Sequence, residues 1–427
     1  MAQASEFSGT IGTRGALYKK RRDALVKSTG GPVVVCAAYE TGPFRFCQDS
    51  SFFYFTGLEE PGAVCLIAVN GHATLFVPQY ASSRAQWVSD ALAISDATAL
   101  EHGFDAVVAL GDCCPGHSIA LQGCEAQWRE LAACLTDLVK ACGRPDGSTK
   151  IFTDLHALVA WKLCKLVSGL EACLADSRPF IAQLRRCKDK EEIGLLYRAA
   201  ELTMQAQAAA ACAIKPGVTE AEVQAALEYA FTAAGAYPAF PSIVASGKRA
   251  TVLHATPIAI NIGQQDCVVV DCGACVDRYC ADVTRTYPSA GTFTARQAQI
   301  YDAVLQIQEH VASLAQPGYW LRNDQVPEKS LYHCALAKCA ELGYAEYWVH
   351  SISHFVGLDV HDVGDASKPL AEGDVITIEP GLYLPQESLG VRIEDMYWII
   401  KDGAICLTED LPRDRKAIEE LAQSAFE

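Results

Sequence analysis

No apolar run in this chain approaches the roughly 20 residues needed to cross a bilayer as a helix, so there is no candidate spanning segment. Positive charge is in deficit. Lys and Arg number 35 against 51 Asp and Glu, a formal net charge of -16. That balance argues against nucleic acid and anionic membrane as partners. The opening residues, M-A-Q-A-S-E-F-S-G-T, lack a basic stretch followed by an apolar core. No secretory signal is therefore expected, and the cytoplasm is the expected compartment. Zinc-finger spacing is missing too: no C-x-x-C pair recurs at such a distance, although the chain has 19 Cys. An odd cysteine count without a signal is expected to stay reduced. Cys272-x-x-Cys275 abuts Asp271. Small core thiols are the ordinary reading of that pair, with redox or thiolate-metal roles as the alternative. Disorder is excluded, because charged residues make up 20% and the hydrophobic set 50%. At 427 residues, two domains and a sizeable core are expected.

The chain divides by character near residue 175. Before it, 15–27 reads as a basic helix, and 32–38 and 51–57 as strands. A hairpin over 63–78 turns on Asn70-Gly71, the preferred type I′ pair. A helix is expected near 84–92, and a loop at 143–147. This 1–175 portion is an α/β domain without a catalytic constellation. In 176–427, Asp189-x-x-Glu192, Thr219-x-x-Glu222 and Thr294-x-x-Gln297 have capping-box spacing and open three helices. A fourth helix is expected over 327–342, and strands over 375–379 and 390–400. Two helices, a His-bearing segment and two strands occur twice in order, which suggests two related halves around one site.

The stretch 267–287 reads as a hairpin carrying Asp271 and Asp282. A turn centred between Val276 and Asp277 sets the two carboxylates opposite each other, about 5 Å apart at Cβ. They repel unless a cation lies between them. Two turn-proximal aspartates facing water are the plain alternative, and on this stretch alone the two readings stand level. His350, His354 and His361 put three of the chain's ten His within twelve positions. Spacing of four can align His350 with His354 on a helix face. Glu379 ends a β-branched run before Pro380-Gly381, where a strand must stop. Arg392 and Glu394 share a face of an expected strand by the period of two, and Arg392 is placed to orient a carboxylate. Together, Asp271, Asp282, His354, Glu379 and Glu394 form an oxygen-rich set. It suits two divalent ions, Mn²⁺ before Zn²⁺.

These residues resemble the aminopeptidase P branch of the pita-bread metallopeptidases. The motifs are V-V-D-C-G…C-A-D-V-T-R-T-Y, H-S-I-S-H-F-V-G-L-D-V-H-D-V-G, I-E-P-G-L-Y and V-R-I-E-D, spread over about 178–411. R-R-D-A-L-V and F-F-Y-F-T-G-L-E-E-P-G resemble the family's N-terminal domain. The resemblance implies an α/β (α+β) fold: a creatinase-like N-terminal domain (1–175) and a pita-bread catalytic domain (176–427). It implies Asp271, Asp282, His354, Glu379 and Glu394 as ligands of two manganese ions, with Asp282 and Glu394 bridging. It implies release of an N-terminal residue that precedes proline. Glu379 would be the general base and His361 an oxyanion donor. His254 and His350 would shape the pocket and donate hydrogen bonds to substrate, and Arg392 would support the ligands. A homo-oligomer, dimer or tetramer, is also implied. Cys47, Ser51 and the A-T-P-I-A-I run after His254 depart from the family pattern. They leave substrate length and subunit contacts open. Trp87 matches an aromatic residue that reaches a neighbour's site in tetrameric relatives; a Trp confined to its own domain is an equal alternative. A prolidase, cleaving only Xaa-Pro dipeptides, shares all five ligands. Metal-free binding modules and creatinase-type hydrolases of this fold have lost ligands that all stand here.

Overall fold

A computed structural model describes residues 14–40, 45–88, 91–116, 118–119, 123–142 and 150–426. The expected loop at 143–147 lies outside them, as do the first residues. The backbone forms two units, one ending at Leu184 and one beginning at Arg185.

In the first unit, Val33–Cys36 and the Val64–Ile67/Ala73–Val77 hairpin form the centre of a mixed six-stranded sheet. Ala106–Ala109, Ile151–Thr153 and Leu174–Asp176 extend it by parallel pairing. Trp128, Leu131 and Leu135 pack into its core. The basic helix is present as Arg14–Thr29. Ser50–Thr56, expected as a strand, is a helix. Its aromatic composition suggests a strand, but its ends decide otherwise. The Asp49 carboxylate accepts from Phe52 N–H, and Gly57 takes the left-handed cap at φ 68°. The hairpin turn also differs from type I′. Only Gly71 has positive φ, and Gly71 N–H closes on Ala68 O, so three residues form the loop. Of the helix expected over 84–92, residues 89–90 lie outside the described residues, and the described part holds a short 3₁₀ turn, Ser82–Gln86.

In the second unit, all three capping boxes form, starting the helices Lys190–Ala213, Glu220–Ala233 and Ala295–Leu314. Leu331–Glu341 is the fourth helix, preceded by a 3₁₀ turn at Pro327–Lys329. The repeat of order is present in the backbone. The first helix pair leads to the antiparallel strands Cys267–Cys272 and Val283–Pro288, the second to Val375–Ile378 and Asp395–Ile400. An extra hairpin, Gly381–Leu384 with Leu389–Arg392, interrupts the second pair. One buried cluster, including Leu227, Val270, Tyr287, Ile307 and Ile378, joins helices and strands of both halves. The strand expected over 390–400 therefore breaks at Ile393–Glu394, and its two pieces pair with different partners.

Candidate metal centre

The first two carboxylates are placed by a turn. Asp277 (φ 48°) and Arg278 (φ 76°) both take left-handed backbone at the hairpin tip. The turn thus lies one residue later than the expected centre, because a β-branched Val276 resists positive φ. Asp271 consequently faces Thr284 rather than Asp282. The displacement keeps the period of two, so Asp282 stays on the same face, diagonal to Asp271. Gly273 allows it: a Cβ there would lie 1.8 Å from Ala281 O.

The break in the 389–400 run places Glu394. Its N–H donates to Thr284 O at 3.0 Å, tying it to the first strand pair. Thr284 Oγ1 donates to Glu394 Oε2 at 2.7 Å and accepts from Arg392 Nε at 3.0 Å. Arg392 also donates from Nη2 to Asp271 Oδ2 at 2.7 Å and from Nη1 to Tyr383 Oη at 3.0 Å. The sequence pattern did not single out Thr284 or Tyr383. A hydroxyl gains its role from what faces it, here more than a hundred positions away for Thr284. Tyr383 does stand within the I-E-P-G-L-Y motif, where a Cβ on Gly381 would meet its hydroxyl at 2.4 Å.

His350 and His354 lie on irregular backbone, not on a helix. His354 N–H donates to Thr377 Oγ1, and Thr377 N–H to His354 O, which sews the segment to the Val375–Ile378 strand. His354 Nδ1 lies 3.0 Å from Phe355 O, an acceptor, so Nδ1 carries the proton. Nε2 is left as a lone pair, 3.3 Å from Asp282, 3.7 Å from Glu379 and 3.9 Å from Glu394. A carbonyl-fixed imidazole turned toward carboxylates is the arrangement of a metal-binding His. Ligand atoms of Asp271, Asp282 and Glu394 lie within 4.8 Å of one another, as do those of His354, Glu379 and Glu394, and of Asp282, His354 and His361. Asp282, His354 and Glu394 each belong to two of these groups.

The electrostatics call for cations. Burial, then the neighbouring carboxylates, holds Asp282 and Glu394 well above the usual carboxylate range. Burial likewise raises Glu379. Asp271 Oδ1 is buried and has no hydrogen-bond partner. An orphaned carboxylate oxygen among crowded acids is what a divalent ion would satisfy, and the donor set fits such ions.

Five groups, together with His254, His350, His361 and Arg392, line a cavity of about 780 Å³. Phe240, Ile243, Leu253 and Val360 supply apolar wall. His361 is exposed, its ring centroid 4.1 Å from that of His354. Burial, then His354, lowers the His361 imidazolium pKa. Burial, then Arg392, pulls His350 down to about 4, so its ring is neutral. Both His350 nitrogens are engaged: Nδ1 with Ser351 O at 2.6 Å and Nε2 with Tyr383 Oη at 2.9 Å. A hydrogen bond from His350 to substrate requires one of these to give way. Cys272 and Cys275 are buried, and the Cys272 thiol is pushed well above its ordinary pKa by burial. All nineteen cysteines are free thiols.

Residues 194–401 match the model of metallopeptidase family M24, and residues 18–114 that of the aminopeptidase P N-terminal domain. The Xaa-Pro aminopeptidase of Escherichia coli (strain K12) is 29% identical, over 96% of this chain and 98% of the relative. Xaa-Pro aminopeptidase 3 of Homo sapiens is 30% identical, over 90% of this chain and 78% of the relative. The chain belongs to the aminopeptidase P branch of metallopeptidase family M24. The solved structure of aminopeptidase P from E. coli with the inhibitor Pro-Leu superposes with a TM-score of 0.81, at 28% identity, covering 96% of this chain and 99% of that one. Membership makes this M24 protein a hydrolase that uses divalent metal, and its second unit a pita-bread domain.

Proposed function

We propose that this M24 protein is a two-ion, manganese-dependent Xaa-Pro aminopeptidase that releases the residue before a penultimate proline. The observation that carries the reading is the set of three ligand groups that overlap through Asp282, His354 and Glu394. Asp271, Asp282, His354, Glu379 and Glu394 would hold the ions. When bound, the ions supply Lewis acidity and an activated water. Every other role falls to the chain. Glu379 accepts the water's proton and delivers it to the departing proline nitrogen. A bond to proline is a tertiary amide without N–H, so recognition rests on pocket shape and on the carbonyl. His361 donates to the developing oxyanion. His254 and His350 wall the pocket, and Arg392 holds Asp271 through its Nη2–Oδ2 hydrogen bond. The free thiols support a reducing, cytoplasmic setting, and family resemblance supports a homo-oligomer.

The test is cleavage of a Pro-second tetrapeptide and of an Xaa-Pro dipeptide by metal-stripped protein, with and without Mn²⁺. Release of the first residue from the tetrapeptide, only with metal, is expected. Cleavage of the dipeptide alone would make it a dipeptidase. Cleavage of neither under any divalent ion would leave a binding module.

A further inference from the structure

His361, the proposed oxyanion donor, is not held by hydrogen bonds of its own side chain. Among the described residues, no hydrogen bond to the protein fixes its ring; its neighbour is the His354 ring. Its backbone is held firmly. Asp362 N–H donates to Phe355 O at 2.9 Å and closes the loop 355–362, which carries Val360 and His361 into the cavity wall.

The next side chain is clamped. Arg185 Nη2 donates to Asp362 Oδ1 at 2.5 Å and to Asp359 Oδ2 at 2.7 Å. Lys188 Nζ donates to Asp362 Oδ2 at 3.0 Å. The side chains of Arg185, Lys188 and Asp362 are 3%, 1% and 1% exposed. Two cations face two carboxylates, so the cluster is neutral in sum, the condition under which buried charge is tolerated. Gly357 makes room for it: a Cβ there would lie 2.0 Å from Asp362 Oδ2. Buried ion pairs add little net stability over apolar packing, yet they specify geometry. The geometry specified here is that of the residue beside His361.

We propose that Asp362, clamped by Arg185 and Lys188, is the positioning residue for His361, and that the clamp sets where the imidazole stands over the reacting carbonyl. This rests on the aminopeptidase reading for the role of His361, but not for its placement. Arg185→Lys keeps the charge but ends about one bond short of Nη2, the single nitrogen that donates to both Asp359 and Asp362. The kcat on a Pro-second tetrapeptide should fall about tenfold in this variant, with KM and bound metal per chain within about twofold of wild type. In a His361→Ala background the same substitution should cost less than about twofold, because the group it positions is gone. Equal losses in both backgrounds, or a loss of bound metal, would overturn the proposal. Asp362→Glu, put through the same cycle, replaces Arg185→Lys if that variant does not fold. A second readout is independent of turnover. In ¹³C-histidine-labelled, Zn²⁺-loaded protein, the ring resonance assigned by its loss in His361→Ala should shift or broaden in the clamp variant. An unchanged resonance sinks the clamp. If wild type cleaves no such peptide, the aminopeptidase reading fails, and the resonance still decides the placement.

Discussion

At the scale of single residues, the decisive group is Glu379. It stands where the Val375–Ile378 strand ends before Pro380, and its N–H donates to Ile352 O at 2.9 Å. The backbone thus fixes the residue whether or not the carboxyl is ionised. Glu379→Gln keeps the volume and one acceptor oxygen but cannot take a proton. Turnover should fall by about 10²–10⁴-fold, the usual contribution of a general base, with bound metal per chain within about twofold of wild type. Steady-state kinetics with metal analysis checks both; undiminished turnover would remove Glu379 from the base role, and lost metal would make the defect that of a ligand. The residues of the proposed centre were legible before the fold because each sits in a motif that limits its neighbours. Glu379 precedes Pro-Gly, and Asp271 follows three valines. Tyr383 and Thr284 were not, since nothing adjacent in sequence marks a hydroxyl as the bridge between Arg392 and His350 or Glu394.

At the scale of elements, local chemistry decided what could be read. Helices opened by reciprocal caps were expected at Asp189, Thr219 and Thr294 and begin there, because each box satisfies donors at the helix N-terminus with residues three apart. Ser50–Thr56 misled, because five of its seven residues are aromatic or β-branched and its helix depends on Asp49 and Gly57 outside it. The 267–288 hairpin lies between these cases. Its face was legible from alternation, its register was not, since the register depends on which two residues accept positive φ. That register is enforced at Gly273. Gly273→Ala would drive a methyl into Ala281 O, so the strands must part and carry Asp282 away from Asp271. Affinity for Mn²⁺ should drop at least about tenfold, in the range typical of disturbed ligand support. Calorimetric titration measures it, and unchanged affinity would mean that the hairpin relaxes without moving its carboxylates.

At the scale of the whole molecule, the acidic centre is a liability that metal relieves. Asp282, Glu379 and Glu394 have folded pKa values raised by burial, whereas in the unfolded chain they titrate near the ordinary value of about 4. As pH rises through that range, the unfolded chain sheds these protons and the metal-free folded chain retains them. The folded state then binds more protons, so their stabilising contribution, complete below the unfolded values, declines as pH rises and is lost above the raised folded values. Divalent ions invert this, because they bind the deprotonated ligands of the folded chain alone and must displace those same protons. Metal at a hundredfold excess over its dissociation constant adds about 2.7 kcal/mol, and that constant falls as pH rises. The metal-stripped protein should therefore melt lower at pH 8 than at pH 6, and the gain on adding Mn²⁺ should be larger at pH 8. Glu394→Gln removes one of the retained protons and should flatten the pH dependence of the metal-stripped form. A metal-stripped melting point that rises from pH 6 to pH 8 in wild type, with the same slope in Glu394→Gln, would show that the carboxylates are not the source of the pH dependence. The centre would then be held together by something other than its protons and its ions.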